Sequence, residues 1–235
     1  MGRQYTVMVI GMGKRGMHHA THFHANPDFK VVGICDIKEE LLVEPAKQLG
    51  NPRIGTDARK LLSDRLGRPV TVVNDADAAG VGELHFGAAR NARGLVLMST
   101  LGTGIGSALF YDGVLIPNSE LGHLEIDGRD AEHRAASSVK DDKNLSWQEW
   151  AERLQRYFSH VEDLLWPDLI VVGGGVSRKA DKFLPLLHLR APIVAAQLQN
   201  SAGIVGAAWL AANPAQPQRV SAGSRTRKAA SKRLG

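Results

Sequence analysis

Asn74 and Asp75 stand between a short apolar run, PVTVV, and a segment that reads as a helix. Either residue is a good helix cap. A carboxylate at the end of a strand can also take a proton from an alcohol, and Asp75 is the candidate for that role. Downstream, Glu120, His123, Glu125 and Asp127 crowd the segment SELGHLEID. A Glu–His pair such as Glu120 and His123 bonds hydroxyl groups well, because each accepts or donates in fixed directions. The plainer reading is an exposed, charged strand edge. Between these sites runs LGTGIG, in which Gly102 and Gly104 bare backbone N–H groups and Thr103 adds a hydroxyl. That is a phosphate cradle or a hairpin turn, and both fit the apolar runs on either side. Gly173, Gly174 and Gly175 follow the apolar run DLIVV, and three glycines are more than a turn requires. A nucleotide or phosphate chain could approach the backbone there.

A further constellation opens the chain. Gly11, Gly13 and Gly16 form G-x-G-x-x-G after one apolar run, and Asp36 ends the next, 20 residues after Gly16. Gly11 permits a tight turn, Gly13 lets a pyrophosphate approach, Gly16 lets helix and strand pack closely, and an acid at Asp36 can bond ribose hydroxyls. His18 and His22 share a helical face, but no third ligand accompanies them, so no metal site is assigned.

The elements that must hold these groups are those of an α/β protein. Residues 5–62 alternate YTVMVIG, a helix from MHHATHFHAN, FKVVGICD, and IKEELLVEPAKQLG, a second helix that Pro45 breaks or kinks. Residues 69–212 give PVTVV, the helical DADAAGVGELHFGAA, and the strands RGLVLMST, GIGSALFY and GVLIP. The amphipathic helix SWQEWAERLQRYFSHVEDLL, capped by Ser146, comes next. Strand DLIVVGGG, helix SRKADKFLPLL, strand APIVAA and helix SAGIVGAAWLAA complete the block.

Composition bounds the function. The chain has 235 residues, 43% hydrophobic and 23% charged, an ordinary globular balance. No apolar run approaches the ~18 residues of a membrane span. Cys35 is the single cysteine, which excludes an intrachain disulfide and a cysteine zinc site and fits a reducing cytoplasm. The net charge of +5 belongs to the end: from Asn213 on there are six basic residues and no acid, leaving 23 basic against 24 acidic elsewhere. A body built to grip nucleic acid is not indicated, and residues 213–235 read as a disordered basic tail.

Two resemblances follow from these motifs. VIGMGKRGMHHA, VVGICD and the Thr56-Asp57 step resemble the opening of the Gfo/Idh/MocA oxidoreductase family. That resemblance implies NAD(P) at Gly11, Gly13, Gly16 and Asp36, although the Glu-Lys-Pro motif of that family is not in the sequence. NDADAAG, LGTGIGSALFYDG, NSELGHLEIDG, AEHRAAS, LIVVGGGVS and NSAGIVGAA occur in the order seen in the ROK sugar-kinase family, closest to its polyphosphate glucokinase branch.

The first resemblance implies a partial Rossmann-like βαβ unit at 1–64, and the second implies, at 65–212, the C-terminal lobe of an actin-like sugar-kinase fold. The second also implies glucose as acceptor, polyphosphate or ATP as donor with Mg²⁺, and a cytoplasmic homodimer. Asp75 would be the general base on the glucose 6-hydroxyl, and Asn74, Glu120, His123 and Glu132 the sugar ligands. Gly102, Thr103 and Gly104 would hold the donor phosphate, with Gly173 to Gly175 beside the nucleotide or polyphosphate. Kinases of that fold begin with Asp-x-Gly-Gly on a first β-hairpin, and no such motif is in these 235 residues. An oxidoreductase and a non-catalytic fused or truncated product therefore stand as alternatives.

Overall fold

The computed structural model describes residues 4–213, and its contacts divide between Val72 and Val73 into two compact units. The tail expected to be disordered lies, from residue 214, outside the described residues.

The first unit is a three-stranded parallel sheet with helical connections. Strand β1 (Tyr5–Ile10) leads through a glycine turn into α1 (Lys14–Ala25), then β2 (Phe29–Cys35), α2 (Val43–Gln48), β3 (Arg53–Gly55) and α3 (Ala58–Leu66). The order is β1-β2-β3. Val31, Ile34, Ala20 and Leu42 form its small core. The single helix expected over 37–50 is instead a 3₁₀ turn, Glu39–Leu41, followed by the short α2. Pro45 falls in the first turn of α2, where a missing N–H breaks no intrahelical bond.

The second unit carries a five-stranded sheet. Its elements are α4 (Asp75–Phe86), β4 (Leu95–Leu101), β5 (Ile105–Tyr111), β6 (Val114–Ile116), β7 (Glu125–Ile126), β8 (Arg129–Asp130), α5 (Glu132–Ala135), α6 (Ser137–Asp142), α7 (Trp147–Leu165), β9 (Leu169–Gly173), β10 (Ile193–Ala195) and α8 (Ala202–Ala212). The order is β10-β9-β4-β5-β6; β4, β5 and β6 are antiparallel neighbours, whereas β9 and β10 run parallel to β4. Alternation along the strands splits the core in two. Leu97, Leu101 and Ile170 meet Trp150, Leu154, Tyr157 and Phe158 of α7 on one face. Val96, Met98, Phe110 and Val171 meet Val81 and Leu84 of α4 and Leu210 of α8 on the other. Each large side chain so buried stabilises by about 1.5–3 kcal/mol. Helix α7 starts with a full capping box between Ser146 and Glu149.

The glycines of α4 have a packing cause. A Cβ on Gly82 would lie 2.4 Å from the Ala202 carbonyl oxygen, and one on Gly206 1.7 Å from that of Ala78. Helices α4 and α8 thus meet backbone to backbone. Glu83, 1% exposed, fastens α4 to the loop after β10 by accepting the N–H groups of Gln197 and Leu198 at 3.0 and 2.7 Å.

Two expected elements are absent. PVTVV forms no strand, since among the described residues no strand pairs with it. SRKADKFLPLL is not an α-helix but two 3₁₀ stretches, Gly175–Lys182 and Leu184–Leu186, interrupted by the non-helical Lys179 and ended near Pro185. Among the described residues no helix is long and apolar enough to cross a membrane.

Candidate active site

The first turn of α4 holds two of the expected residues. Asn74 is its N-cap: Oδ1 accepts the N–H groups of Ala76 at 2.8 Å and Asp77 at 3.2 Å. Its Nδ2 donates to Glu120 Oε1 at 3.4 Å, across 46 residues of sequence. Asp75 begins the helix with an exposed side chain whose Oδ1 takes the Ala76 N–H at 2.9 Å. The capping and chemical readings therefore fall on different residues. Asn74 caps, and Asp75 presents a carboxylate.

Asp77 is a neighbour the sequence reading missed. It is 1% exposed, its Oδ2 accepts the Asn118 N–H at 2.9 Å, and its Oδ1 has no partner among the described residues. Burial pushes its carboxyl above the usual range, the Asn118 N–H pulls it back, and the charges of Glu120 and Asp75 push it further up. Asp77 thereby ties α4 to the loop that carries Glu120. A second acid three residues after the N-cap looks like an ordinary first-turn helix acid, so the sequence held no signal of its burial.

SELGHLEID is in part the exposed, charged edge of the plainer reading: Glu120, His123, Glu125 and Asp127 are all exposed. It is a 3₁₀ turn, Leu121–His123, followed by β7. His123 Nδ1 lies 3.1 Å from Asp130 Oδ2 and 3.8 Å from Glu132 Oε1. The hydrogen bond with Asp130, then the charge of Glu132, raises the imidazole pKa. His123, Asp130 and Glu132 offer ligand atoms within 4.8 Å of one another. Asp130 is the other missed residue, and the Asp127-Gly128 pair was its signal. Both have positive φ, 54° and 74°, and turn β7 into β8 so that Asp130 comes opposite Glu125.

Glu132 links this cluster to the glycine loop. Its Oε2 takes the Ile105 N–H at 3.3 Å, and a Cβ on Gly104 would come within 2.4 Å of the same atom. The loop is held from behind as well. Ser138 N–H donates to the Gly102 carbonyl at 3.1 Å, and Ser138 Oγ to that of Thr103 at 2.8 Å. The Gly102 N–H donates to the Gly104 carbonyl at 3.0 Å, so the hairpin reading is correct geometrically and this N–H, expected to be bare, is committed within the loop; open space remains beside Gly102. Beside it Gly174 adopts φ 82°, and its Cα approaches β4 so closely that a Cβ would lie 2.3 Å from the Leu101 oxygen. Gly173 to Gly175 thus abut the Gly102 loop. A cavity of about 230 Å³ opens where Gly102, Gly175, Lys140, Lys179 and Trp147 converge.

In the first unit the glycine turn has the expected local form. Gly11 has φ 86°, nothing stands near Gly13, and a Cβ on Gly16 would meet the Gly11 oxygen at 1.6 Å. Asp36, however, is committed to the turn itself: Oδ2 accepts the Met12 N–H at 2.6 Å and Oδ1 the Lys38 N–H at 2.9 Å. Those bonds hold its carboxyl below the usual range. The His18 and His22 rings lie 4.2 Å apart, tilted by 50°, with no acidic or cysteine ligand grouped with them among the described residues.

A mixed sheet flanked by helices, with glycine loops at the ends of β4 and β9 facing an acid–histidine cluster, is the architecture of an α/β sugar kinase of the actin-like class. The chain belongs to the ROK family. The ROK family model matches residues 29–137. A solved structure, the inorganic polyphosphate/ATP-glucomannokinase from Arthrobacter sp. strain KM, is 44% identical, with a TM-score of 0.65 over 84% of this chain and 81% of that one. The polyphosphate glucokinase of Mycobacterium tuberculosis is 52% identical over 168 residues, 71% of this chain. The ROK family glucokinase of Streptomyces griseus, solved with glucose and AMPPNP, shares the fold at 23% identity and a TM-score of 0.56, over 65% of this chain and 71% of that one. The chain spans 63% of the length of the M. tuberculosis relative.

Proposed function

We propose that this chain takes part in phosphorylating glucose at its 6-hydroxyl, with polyphosphate or ATP as donor. The carrying observation is the row of contacts from Asn74 to Glu120 and from His123 through Glu132 to the Gly104 loop, which sets hydroxyl-binding groups beside a phosphate-sized glycine turn. The names of the similar kinases support the same substrates.

In this reading Asp75 accepts the proton of the 6-hydroxyl as its oxygen attacks the terminal phosphorus. The bridging P–O bond breaks, and the shortened donor leaves with the electron pair. Asn74, Glu120 and His123 fix the sugar, and Glu132 closes over it. The open side of the Gly102–Gly104 loop, beside Gly102, holds the phosphoryl group, and Gly173 to Gly175 flank the rest of the donor. The Glu132 carboxylate and the Thr103 hydroxyl are hard oxygen donors, which suit Mg²⁺. When bound with the donor, that ion would screen phosphate charge.

The dinucleotide reading of the first unit is weaker. Gly11 and Gly13 would admit a phosphate at the start of α1, but a ribose would compete with Met12 and Lys38 for Asp36.

The test is glucose 6-phosphate production with each donor. Asp75→Asn is expected to lower kcat by about 10²-fold or more while glucose binding survives. Near-normal kcat in that variant would remove Asp75 from the role.

A further inference from the structure

The cavity beside the glycine loops has an uneven charge. Lys140 Nζ stands 4.4 Å from the centre of the Trp147 ring, and the Nζ atoms of Lys179 and Lys182 stand 5.8 Å from it. Three ammonium groups thus gather round one indole, brought there by α6, by the 3₁₀ stretch after Gly174 and by the start of α7. Lys140 has a weak partner, Asp141 at 3.6 Å, whose side chain is 76% exposed. Among the described residues no carboxylate lies within salt-bridge distance of Lys179 or Lys182. The cavity wall holds Lys140, Lys179 and one acid, Asp141, and Lys182 stands beside it on the same indole, so the surplus charge is positive; such a surplus favours an anion, and a concave wall focuses that field.

The indole is poorly placed to stack a purine. The Lys140 ammonium covers it, and that side chain is only 16% exposed, so a base would have to expel a packed lysine. Phe183 runs near-parallel to the ring at 6.1 Å and Trp150 meets it edge-on at 5.9 Å. A flexible chain of phosphates has no ring to stack and carries a charge on every unit. Lysine, a compact charge on a long stem, suits such a ligand.

We propose that Lys140, Lys179 and Lys182 around Trp147 form a subsite for the non-transferring phosphates of inorganic polyphosphate, and that this subsite selects the polyanion over a nucleotide as donor. The proposal rests on the phosphotransfer reading above for the direction in which the donor lies. From the Gly102 loop, where the reacting phosphate would sit, the chain would run past Gly175 into the lysine-lined cavity.

The experiment is calorimetric titration of the full chain with inorganic polyphosphate and, separately, with Mg-ATP, at low and high salt. It uses the wild type, Lys179→Gln/Lys182→Gln, and the triple variant that adds Lys140→Gln. The first pair of substitutions is on exposed side chains and leaves the core untouched. Summed over three exposed-to-half-buried charge contacts, the triple variant is expected to weaken polyphosphate binding about tenfold or more, and Mg-ATP binding by less than about threefold. The double variant is expected to fall between wild type and triple, and the salt dependence of polyphosphate binding to flatten with each lysine removed. Unchanged polyphosphate affinity in the triple variant, or equal losses for both donors, would overturn the subsite. Binding is read without turnover, so the two readings fail separately. Lysine-dependent binding with no glucose 6-phosphate from either donor would overturn the kinase reading and leave the polyphosphate site in place.

Discussion

His123 sits among acids, and its charge is the property that geometry controls most directly. Asp130 at 3.1 Å and Glu132 at 3.8 Å both favour imidazolium, and they raise its pKa above 6.5. The sign follows by linkage. The folded state binds this proton more tightly than the unfolded chain, so the stabilisation is complete below pH 6.5 and is lost as pH rises through the higher folded value. An imidazolium donates from both nitrogens, so Nε2 is a donor as well as Nδ1. An NMR titration is expected to place His123 above 6.5, and Asp130→Asn to bring it back down. Asp127→Asn should leave it where it was, because Asp127 is held at 3.0 Å by both Arg134 and Arg156. A titration unmoved by Asp130→Asn would disprove the pairing. At this scale short motifs singled out Asn74, Asp75, Glu120 and His123 as candidates, and the family resemblance alone singled out Glu132. Asp77 and Asp130 were not, because a hydrogen bond across 41 residues and a two-residue hairpin make them neighbours.

Helices α4 and α8 invert the usual meaning of glycine in a helix. Propensity alone says that Gly→Ala inside a helix stabilises by about 1 kcal/mol. At Gly206 the new methyl would lie 1.7 Å from the backbone oxygen of Ala78, which no rotamer change can relieve. Gly206→Ala is therefore expected to destabilise by about 1–3 kcal/mol, the range for an overpacked core. Gly203→Ala, on the same helix with its nearest neighbour at 4.0 Å, is expected to stabilise by up to about 1 kcal/mol. Chemical denaturation of the two variants decides; a gain at both positions would mean that the two helices are free to separate. The same contrast explains what the sequence disclosed of the elements. The capping box and apolar stripe of α7 are local, so its start at Trp147 was readable. The fate of PVTVV depended on whether a partner strand exists. That of SRKADKFLPLL depended on a backbone break at Lys179, a residue with ordinary helix propensity.

On the scale of the whole chain, the family match and the physical division do not coincide. The ROK model begins at residue 29, whereas contacts divide at Val72/Val73, and the sequence reading had placed a boundary near 64 in a stretch of unremarkable composition. The expected sugar ligands, Asn74 through Glu132, all belong to the second unit. In the proposed reading hydrogen bonds from these groups recognise the sugar, each worth about 0.5–1.5 kcal/mol net. Phosphoryl transfer asks for more. It depends on holding donor and acceptor in line while charge is stabilised at several oxygens, and well-oriented positioning of this kind supplies about 7–11 kcal/mol of a barrier. The Asp-x-Gly-Gly phosphate motif is not among the 235 residues, so one clamp on the donor must come from elsewhere or be lost. Glucose recognition is therefore expected to outlast phosphoryl transfer in this chain: calorimetry should detect weak glucose binding that Glu120→Gln diminishes. Glucose 6-phosphate production with polyphosphate or ATP should be measurable but far below that of the similar kinases. Turnover at the level of those relatives would overturn the expectation that recognition outlasts transfer.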